Sequence, residues 1–534
     1  MMSAVPTRPT GIAAANEADF VERRVVRLNL IGFAAYCLFV LLAKWFGFSA
    51  AIFDHAKEIY HAQELRWVYD GANPPLYTWL LYGFQHVFGV RLATVLILNQ
   101  LLLFLIFASS FVLARRVLGS PVLAALAAWS LMLVGQYHKF LYTMSHSLLV
   151  AIFCPLLLWL LLRIAAERRL GDYAAMGAVL ALGLLSKFLF LAAFAAAVIA
   201  ALCVRATRPG VLNPKFALSL AIAAAIFVPF VVASKEQWSR LTSILRSRMG
   251  ADRAESYLAG LGDGIGSFSG SVAEYGVVLA VTATLAIVLP IGARELLRAG
   301  KVMPRSNADS IRFAGYVVLA GMALILAAVL VADVSIVKPR FVHVFLFPLP
   351  VLAVALVASL RPGGLALRRY GVLLGVISAG ILAVRVINMT PVCIGRCEDL
   401  VPFDGLANQL TAAGFEKGTI FAHGVRLGGN LVLRFPASRV DVAVDPFVPV
   451  RPPAGRRGQC LIIWERGDVR GGGIPTTLTE AAGIPAERAR VSVRSITRGW
   501  RWHGVAVVDP AGAWRPRRTT WRYILIPEGT PSCR

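Results

Sequence analysis

The chain has few charged residues. Asp, Glu, Lys and Arg make up 16% of its 534 residues, whereas hydrophobic residues make up 57%. A typical soluble domain has about 25% charged residues and could not hide so large an apolar fraction from water. The composition therefore excludes an ordinary soluble protein and predicts one that crosses a membrane many times.

Acidic residues are the scarcest charged type, with 29 Asp and Glu against 54 Lys and Arg and a formal net charge of +25. Such an excess can indicate nucleic-acid binding, but no basic region with interleaved aromatic residues precedes residue 388. Much of the charge lies in loops between apolar runs, where it sets topology and contacts anionic headgroups. We therefore expect membrane lipids as partners and no nucleic acid.

Cysteine and histidine are also rare, with seven and eight copies. Three of the cysteines lie in apolar runs and are expected to pack inertly. The other four lie in the tail, where an even number favours disulfides, as Cys393–Cys397 and Cys460–Cys533. No histidine stands at a matching spacing, so the sequence predicts no metal and no cofactor.

Long apolar runs supply the predicted membrane spans. A hydrocarbon core takes about 20 apolar residues per helix, and qualifying runs begin near residues 28, 92, 119, 146, 173, 188, 213, 273, 312, 342 and 367. The stretch 173–204 fits either two short spans that meet at Ser186-Lys187 or one long tilted helix. Counting it as two predicts a polytopic α-helical membrane protein with about 11 transmembrane helices.

Lysines and arginines set the predicted orientation, because cytoplasmic loops are enriched in them. With a cytoplasmic N-terminal tail over residues 1–27, all the basic loops fall on one side if 173–204 is two spans. The transmembrane domain then covers 28–388 and its first outward loop covers 47–90. A further outward domain covers 389–534, and no cleavable signal peptide is expected.

The most unusual stretch is FDHAKEIYHAQELRWVYDGANPPLYTWLLY, residues 53–82, which follows the first apolar run. Ionisable side chains crowd its first half. Polar groups so close to a membrane span are costly unless they face water, a substrate or each other. We expect the chemistry of the protein in this segment.

A Gly- and Ser-rich run, residues 250–272, follows an amphipathic charged stretch. We interpret the charged stretch as an interfacial helix and the run as a mobile loop that can cover an outward cavity.

The pattern after residue 388 is that of a small α/β domain. Residues 402–414 are predicted to form a helix that ends at Gly414. Gly428-Gly429-Asn430 lacks a full phosphate-binding fingerprint and carries little weight. Six short apolar runs bounded by Gly and Pro are predicted to be strands: GTIFAH, RVDVAV, CLIIW, ARVSVRSI, HGVAVVD and YILI.

Four elements occur in a characteristic order: Asp54-x-Ala56, GANPPLYTWL at 71–80, LSKF at 185–188, and Lys338-Pro339-Arg340. In this order they resemble bacterial glycosyltransferase family 39, which is similar to protein O-mannosyltransferases and the lipid A aminoarabinose transferase. The tail is similar to the C-terminal domain of the rhizobial lipopolysaccharide galacturonosyltransferases in that family. The resemblance covers nearly the whole chain. It implies a GT-C fold, a polyprenyl-phosphate sugar donor and an acceptor on the periplasmic side of a bacterial inner membrane.

The sequence departs from this family at one place. Members often begin the first outward loop with Asp-(acidic)-Ala-Glu, whereas here His55 and Lys57 take the second and fourth positions and Glu58 comes one residue later. The leading Asp54 is kept and is the candidate general base. Glu58 either assists it as a second catalytic carboxylate or pairs with Lys57 or His61.

Sugar transfer from a polyprenyl phosphate also needs cations, because negative charge builds on the leaving phosphate. Lys187, Lys338 and Arg340 stand at outward ends of predicted helices and are the candidate phosphate ligands. Further polar residues are predicted to line the substrate cavity: His55, Asn73, Tyr77, His138, Lys139, His146 and His343.

Plainer interpretations remain open for several of these residues. Asp54 is also suited to capping the helix that follows it. Lys187 is also suited to reaching the membrane interface from an apolar helix. His55 and His61 are equally compatible with structural roles.

The sequence therefore predicts an inverting membrane glycosyltransferase. It would move a sugar from a polyprenyl-phosphate donor to lipid A, lipopolysaccharide or another lipid or glycolipid acceptor in the envelope. The alternative is a transporter or flippase for lipid-linked saccharides, but the broken helices and repeated halves typical of transporters are not evident. A third hypothesis is a non-catalytic envelope scaffold.

Overall fold

The computed structural model describes residues 11–528, except 70–72, 143–144, 251–256, 289–304, 333, 360–363, 388, 394–396, 444–458, 469–472, 484–492 and 511–513. Helices form the part before residue 388. The first of them are α1 (Gly11–Gly47), α2 (Phe53–His61), α3 (Leu76–Phe88), α4 (Leu92–Leu118), α5 (Pro121–Trp129), α6 (Gly135–Tyr142), α7 (His146–Glu167), α8 (Leu170–Ser186) and α9 (Phe190–Cys203). They are followed by α10 (Arg208–Val211), α11 (Phe216–Ser234), α12 (Trp238–Met249), α13 (Tyr257–Val288), α14 (Arg305–Val331), α15 (Pro339–Leu346), α16 (Leu349–Ser359) and α17 (Gly364–Ile387).

Several of these helices suit a bilayer. Within the described residues, six are long and apolar enough to cross a membrane, or seven if the bent pair α15–α16 is one span. Shorter apolar helices lie at Pro121–Leu133, Leu170–Ser186 and Phe190–Cys203. The protein is therefore a multi-pass membrane protein, and the count of eleven spans stays a prediction. The stretch 173–204 forms two helices that meet at Ser186-Lys187 and not one long helix, and their role as two separate spans stays a prediction.

The Gly- and Ser-rich run is not the predicted loop, because residues 257–272 begin the long helix α13. Its small side chains allow close packing against the extended segment 334–338. The hydroxyl of Ser267 accepts the backbone N–H of Val337 at 2.9 Å, and that of Ser271 donates to the Val337 carbonyl at 2.8 Å. This run therefore helps to hold the segment that leads into Lys338.

The C-terminal part forms a mixed α/β domain, as predicted. Its five-stranded sheet has the order β2-β1-β3-β9-β4; β1 pairs in parallel with β2 and β3, and β9 pairs antiparallel with β3 and β4. The strands are β1 (Gly418–Ala422), β2 (Arg439–Val442), β3 (Gln459–Glu465), β4 (Arg494–Gly499), β5 (Arg501–Trp502), β6 (Val505–Ala506), β7 (Val508–Asp509), β8 (Arg515–Pro516) and β9 (Arg518–Ile526). The helices are α18 (Phe403–Ala412), α19 (Val425–Arg434) and α20 (Thr476–Ala482).

Side chains along the central strand β3 alternate between the two faces of the sheet, and each face packs into a different apolar cluster. Leu461 and Ile463 of β3 belong to the main apolar cluster, whereas Ile462 and Trp464 belong to a second cluster with Leu478 of α20. This is the period of two expected for a strand covered on both faces. The predicted run HGVAVVD is instead split between the short strands β6 and β7.

Two details of this domain bear on the sequence predictions. Helix α18 is followed by Gly414 in the left-handed region, at φ +97°, as the predicted C-terminal glycine requires. The disulfide Cys393–Cys397 is formed, which confirms that pair. Cys460 is also disulfide-bonded, and its predicted partner Cys533 lies outside the described residues.

Helix α19 is an element that the sequence analysis missed, and it joins the two parts of the chain. The side chain of Asn430 binds both backbone groups of Ala51, accepting from its N–H at 2.9 Å and donating to its carbonyl at 2.8 Å. Glu398, which precedes α18, accepts the N–H of Phe53 at 2.9 Å. The C-terminal domain therefore holds the chain where α2 begins.

Helices α2 and α19 also pack against each other along their length. A Cβ placed on Gly429 would overlap the carbonyl oxygen of Ala56 in α2. Only glycine permits backbones to approach so closely. The Gly428-Gly429-Asn430 run is therefore a contact between domains.

We predict that Gly429→Ala destabilises the protein by about 1–3 kcal/mol, the usual cost of overpacking. The melting temperature in detergent should fall. Gly499→Ala is the matched control, because a Cβ at Gly499 meets nothing within 4 Å. Equal melting temperatures for the two variants would contradict the close contact.

Candidate active site

Helix α2 carries the candidate base. Ile52 is the N-cap residue of α2 and Asp54 lies within its first turn. The N–H of Phe53 is bound by Glu398, and Asp54 stands two residues after the N-cap position, beyond the place of a capping side chain. The capping interpretation of Asp54 is therefore not supported, and its half-buried carboxylate is left for another role.

The electrostatic surroundings of Asp54 come from distant parts of the chain. Burial raises the pKa of Asp54 above its usual value; Lys57 opposes this, Glu58 adds to it, and Arg340 and His146 oppose it. Arg340 therefore lies within electrostatic reach of Asp54. A half-buried carboxylate with a raised pKa is better suited to accept a proton than an ordinary aspartate.

Glu58 lies one turn further along α2 and is 1% exposed. One carboxylate oxygen is 3.0 Å from Nε2 of His146, and the other accepts the hydroxyl of Thr78 at 2.6 Å. Burial alone would raise the pKa of Glu58, but the charge and hydrogen bond of His146, with help from Lys57 and His61, lower it below its usual range. Glu58 is therefore held as a carboxylate that ties α2 to α3 and α7.

His55 and Tyr77 meet at a third residue, Asn99 of α4. The amide nitrogen of Asn99 donates to Nε2 of His55 at 2.6 Å, and its oxygen accepts the Tyr77 hydroxyl at 2.6 Å. Both His55 and Tyr77 are fully buried. The sequence predicts that they line the substrate cavity, but the structure places them in the packed interior, where they fasten α2 and α3 to α4.

Lys187 lies at the break between α8 and α9, close to the contact of Glu58 with His146. Its Nζ donates to the hydroxyl of Ser147 at 2.9 Å, and Ser147 directly follows His146. The charge of Lys187 also acts on the imidazole of His343. Lys187 is half-buried, and this bond ties it to the start of α7, beside the residue that pairs with Glu58.

Helix α15 brings the other cations. Lys338 is the N-cap residue of α15 and Arg340 is its second residue; both are half-buried. The ring of His343 donates through Nδ1 to the carbonyl of Arg340 at 2.7 Å. The structure therefore gathers Asp54, Glu58 and these cation-bearing helix ends into one region.

The remaining predicted cavity residues are less informative. Asn73 is half-buried just before α3. His138 and Lys139 belong to α6, but their side chains lie outside the described part of the structure. No group of three or more potential metal ligands occurs among the residues that the structure describes.

Thr78, Asn99 and Ser147 were missed by the sequence analysis. Thr78 stands inside the run GANPPLYTWL, so the motif itself contained a signal. Asn99 and Ser147 are polar residues within apolar helices, where a polar side chain usually has a buried partner.

We predict that His55 makes the protein sensitive to mild acid. Burial lowers the pKa of His55 to about 3 in the folded protein, whereas an unfolded histidine takes up its proton near pH 6.5. The unfolded state then binds more protons between these values, so stability falls as pH drops below about 6.5, by about 2 kcal/mol at pH 5.

The measurement compares melting temperatures at pH 7.5 and 5 for the wild type and His55→Gln, whose amide oxygen can still accept from Asn99. The wild type should lose more stability on acidification. His503→Gln, at an exposed histidine, is the control. An equal loss in the wild type and His55→Gln would refute the prediction.

The chain is similar in sequence to known proteins. Residues 72–232 match the family described as dolichyl-phosphate-mannose-protein mannosyltransferase. Two Rhizobium johnstonii proteins, the lipopolysaccharide core galacturonosyltransferases RgtB and RgtA, are each 26% identical to this chain. The RgtB match covers 80% of this chain and 86% of RgtB, and the RgtA match covers 77% and 81%.

The fold also matches solved structures. ArnT from Cupriavidus metallidurans, bound to undecaprenyl phosphate, gives a TM-score of 0.56 at 16% identity, covering 92% of this chain and 97% of ArnT. Its apo structure gives the same TM-score at 15% identity. This likeness confirms the predicted GT-C fold, and the comparisons give the transporter alternative no support. The chain is a membrane glycosyltransferase with the GT-C fold, related to the rhizobial lipopolysaccharide core galacturonosyltransferases and, through residues 72–232, to the protein mannosyltransferases.

Proposed function

We propose that the protein transfers a sugar, with inversion, from a polyprenyl-phosphate donor to lipid A or lipopolysaccharide on the periplasmic side of a bacterial inner membrane. The observation that carries the proposal is the electrostatic interaction of Arg340 with Asp54, a cation and a candidate base from distant segments. RgtB and RgtA are named for lipopolysaccharide core transfer, and ArnT binds undecaprenyl phosphate. These names support the same donor and acceptor classes here.

Asp54 acts as the general base. It takes the proton from the acceptor hydroxyl as the acceptor oxygen forms its bond to the anomeric carbon of the donor sugar. The bond between that carbon and the phosphate oxygen breaks, and the electron pair leaves with the phosphate. A single displacement on the face opposite the phosphate inverts the anomeric centre.

The cations act on the leaving phosphate. Arg340 offers a planar fork of donors that fits two phosphate oxygens, and Lys187 and Lys338 act as point charges. Negative charge grows on the phosphate as the bond breaks, so fixed cations stabilise the transition state more than the bound donor. Phosphate then leaves without a general acid.

Glu58 and His146 act as positioning residues. One oxygen of Glu58 contacts His146 and the other accepts from Thr78, so each oxygen of this buried carboxylate already has a protein partner. The pair sets the rotation of α2 about its axis and, through Ser147, the place of Lys187. This supports assigning the base to Asp54 and a supporting role to the second carboxylate.

The proposal also includes the orientation of the chain across the membrane. Residues 1–27 lie in the cytoplasm, 28–388 form the membrane domain, and 389–534 lie in the periplasm. The disulfide Cys393–Cys397 supports this placement, because disulfides persist in oxidising compartments.

We predict that Asp54→Asn lowers sugar transfer by about 10²–10⁴-fold, the usual contribution of a general base. The melting temperature should stay close to that of the wild type. Transfer is measured with purified protein, lipid-linked donor and lipopolysaccharide, by mass spectrometry of the product. The control is Asp309→Asn at the N-terminal end of α14, where Asp309 pairs with Arg312. Full activity in Asp54→Asn would leave a scaffold as the better hypothesis.

We predict that Arg340→Ala lowers kcat/KM for the donor by about 10–100-fold, since a hydrogen bond to a charged group contributes about 1.5–3 kcal/mol. Arg340→Lys should recover only part of this, because lysine lacks the fork. Steady-state kinetics with varied donor supply the measurement, with Arg312→Ala as the control. An unchanged donor kcat/KM would remove Arg340 from the phosphate site.

A further inference from the structure

A cavity of about 520 Å³ lies beyond the C-terminal end of α2. Its walls come from the loop after α2, from the end of α3 and from the C-terminal domain. They include Tyr69, Gln85 and Arg439, one from each of these parts. Lys187, Lys338 and Arg340 are not among its lining residues, so the cavity is separate from the cations of the proposed donor site.

The charged groups in the cavity wall have an excess of positive charge. Arg439 pairs with Glu64 at 3.2 Å, and Arg66 pairs with the same carboxylate. These two guanidinium groups therefore share the one carboxylate among the described residues that line the cavity, while Asp441, which does not line it, interacts electrostatically with both. A carboxylate or phosphate of a ligand fits a guanidinium in particular.

Two buried donors in the same wall lack an acceptor. Nε2 of Gln85 and Nε of Arg439 have no hydrogen-bond partner in the part of the chain that the structure describes. Gln85 is 5% exposed, and the Arg439 side chain is 10% exposed. A buried donor left without a partner costs about 1–3 kcal/mol. A ligand rich in acceptor oxygens, such as a saccharide, would satisfy these groups.

The cavity is connected to the candidate base through α2. His61, in the cavity wall, lies seven residues after Asp54 and so projects from the same face of the helix. Seven residues span roughly 10 Å along a helix axis, a length that a short saccharide can cover. Burial raises the pKa of Tyr69 to about 12, and the charge of Glu58 adds to this, so the wall lies within electrostatic reach of the site.

We propose that this cavity binds the anionic saccharide portion of the acceptor. Sugars that carry carboxylate or phosphate groups would bind Arg439 and Gln85, and the hydroxyl to be modified would then lie at Asp54. The proposal rests on the proposed function and names the part of the acceptor that this chain recognises. It also assigns a substrate contact to the C-terminal domain, through β2.

The kinetic test uses Arg439→Gln and Gln85→Leu. Both should raise the KM for lipopolysaccharide at least tenfold and leave the KM for the lipid-linked donor unchanged. Arg518→Gln, at an exposed arginine of the same domain, is the matched control. A rise in donor KM instead, or no change in acceptor KM in either variant, would overturn the proposal.

A binding test covers the case in which Arg439→Gln perturbs the fold. The probes are trigalacturonic acid and its neutral trimethyl ester, tested on the full-length protein by calorimetry. Wild type and Asp54→Asn should bind the acid more tightly than the ester, and Arg439→Gln and Gln85→Leu should lose this preference. Equal binding of the acid by wild type and both cavity variants would refute the subsite.

The two tests separate this subsite from the proposed function. If the wild type transfers no sugar but still binds the acid through Arg439 and Gln85, the proposed function fails and the saccharide site stands. If transfer occurs and the cavity variants keep the wild-type acceptor KM, the subsite alone fails.

Discussion

The buried contact of Glu58 with His146 and Thr78 is the interaction on which the site depends. It joins α2, α3 and α7 at one carboxylate, so the rotation of α2 about its axis is set from two sides. Removing His146 would leave one oxygen of a buried carboxylate without its partner, which is far more costly than losing an exposed pair. With α2 fixed in this way, Asp54 stays within electrostatic reach of Arg340, and the proposed base and the proposed phosphate ligand keep a constant relation.

The C-terminal domain supplies a second set of contacts to the same short helix. Asn430 and Glu398 bind the backbone where α2 begins, and Gly429 lies against its middle. A helix of nine residues has little stability of its own, because a short helix gains too few hydrogen bonds to repay its nucleation. Its geometry therefore comes from the membrane helices on one side and the C-terminal domain on the other, which couples that domain to the candidate site.

This arrangement gives α2 two functional ends on one face. The N-terminal end carries Asp54 near Lys187, at the break between α8 and α9, and the cations of α15, where the leaving phosphate is proposed to bind. The C-terminal end opens into the cavity with Arg439 and Gln85, where the acceptor saccharide is proposed to bind. One rigid helix would then fix the distance between the recognised part of the acceptor and the hydroxyl that reacts.

Local features of the structure were predictable from the sequence. Apolar runs predicted the membrane helices and the break at Ser186-Lys187, and short runs bounded by Gly and Pro predicted most strands. The motifs around Asp54 and 71–80 carried the resemblance to the family. The partner of Glu58, the burial of His55 and the packing of Gly429 on Ala56 were not predictable, because each joins residues far apart in the chain. Periodicity and composition report which face of an element is apolar. Which polar groups meet depends on how the elements pack, and in this protein only the tertiary structure decided that.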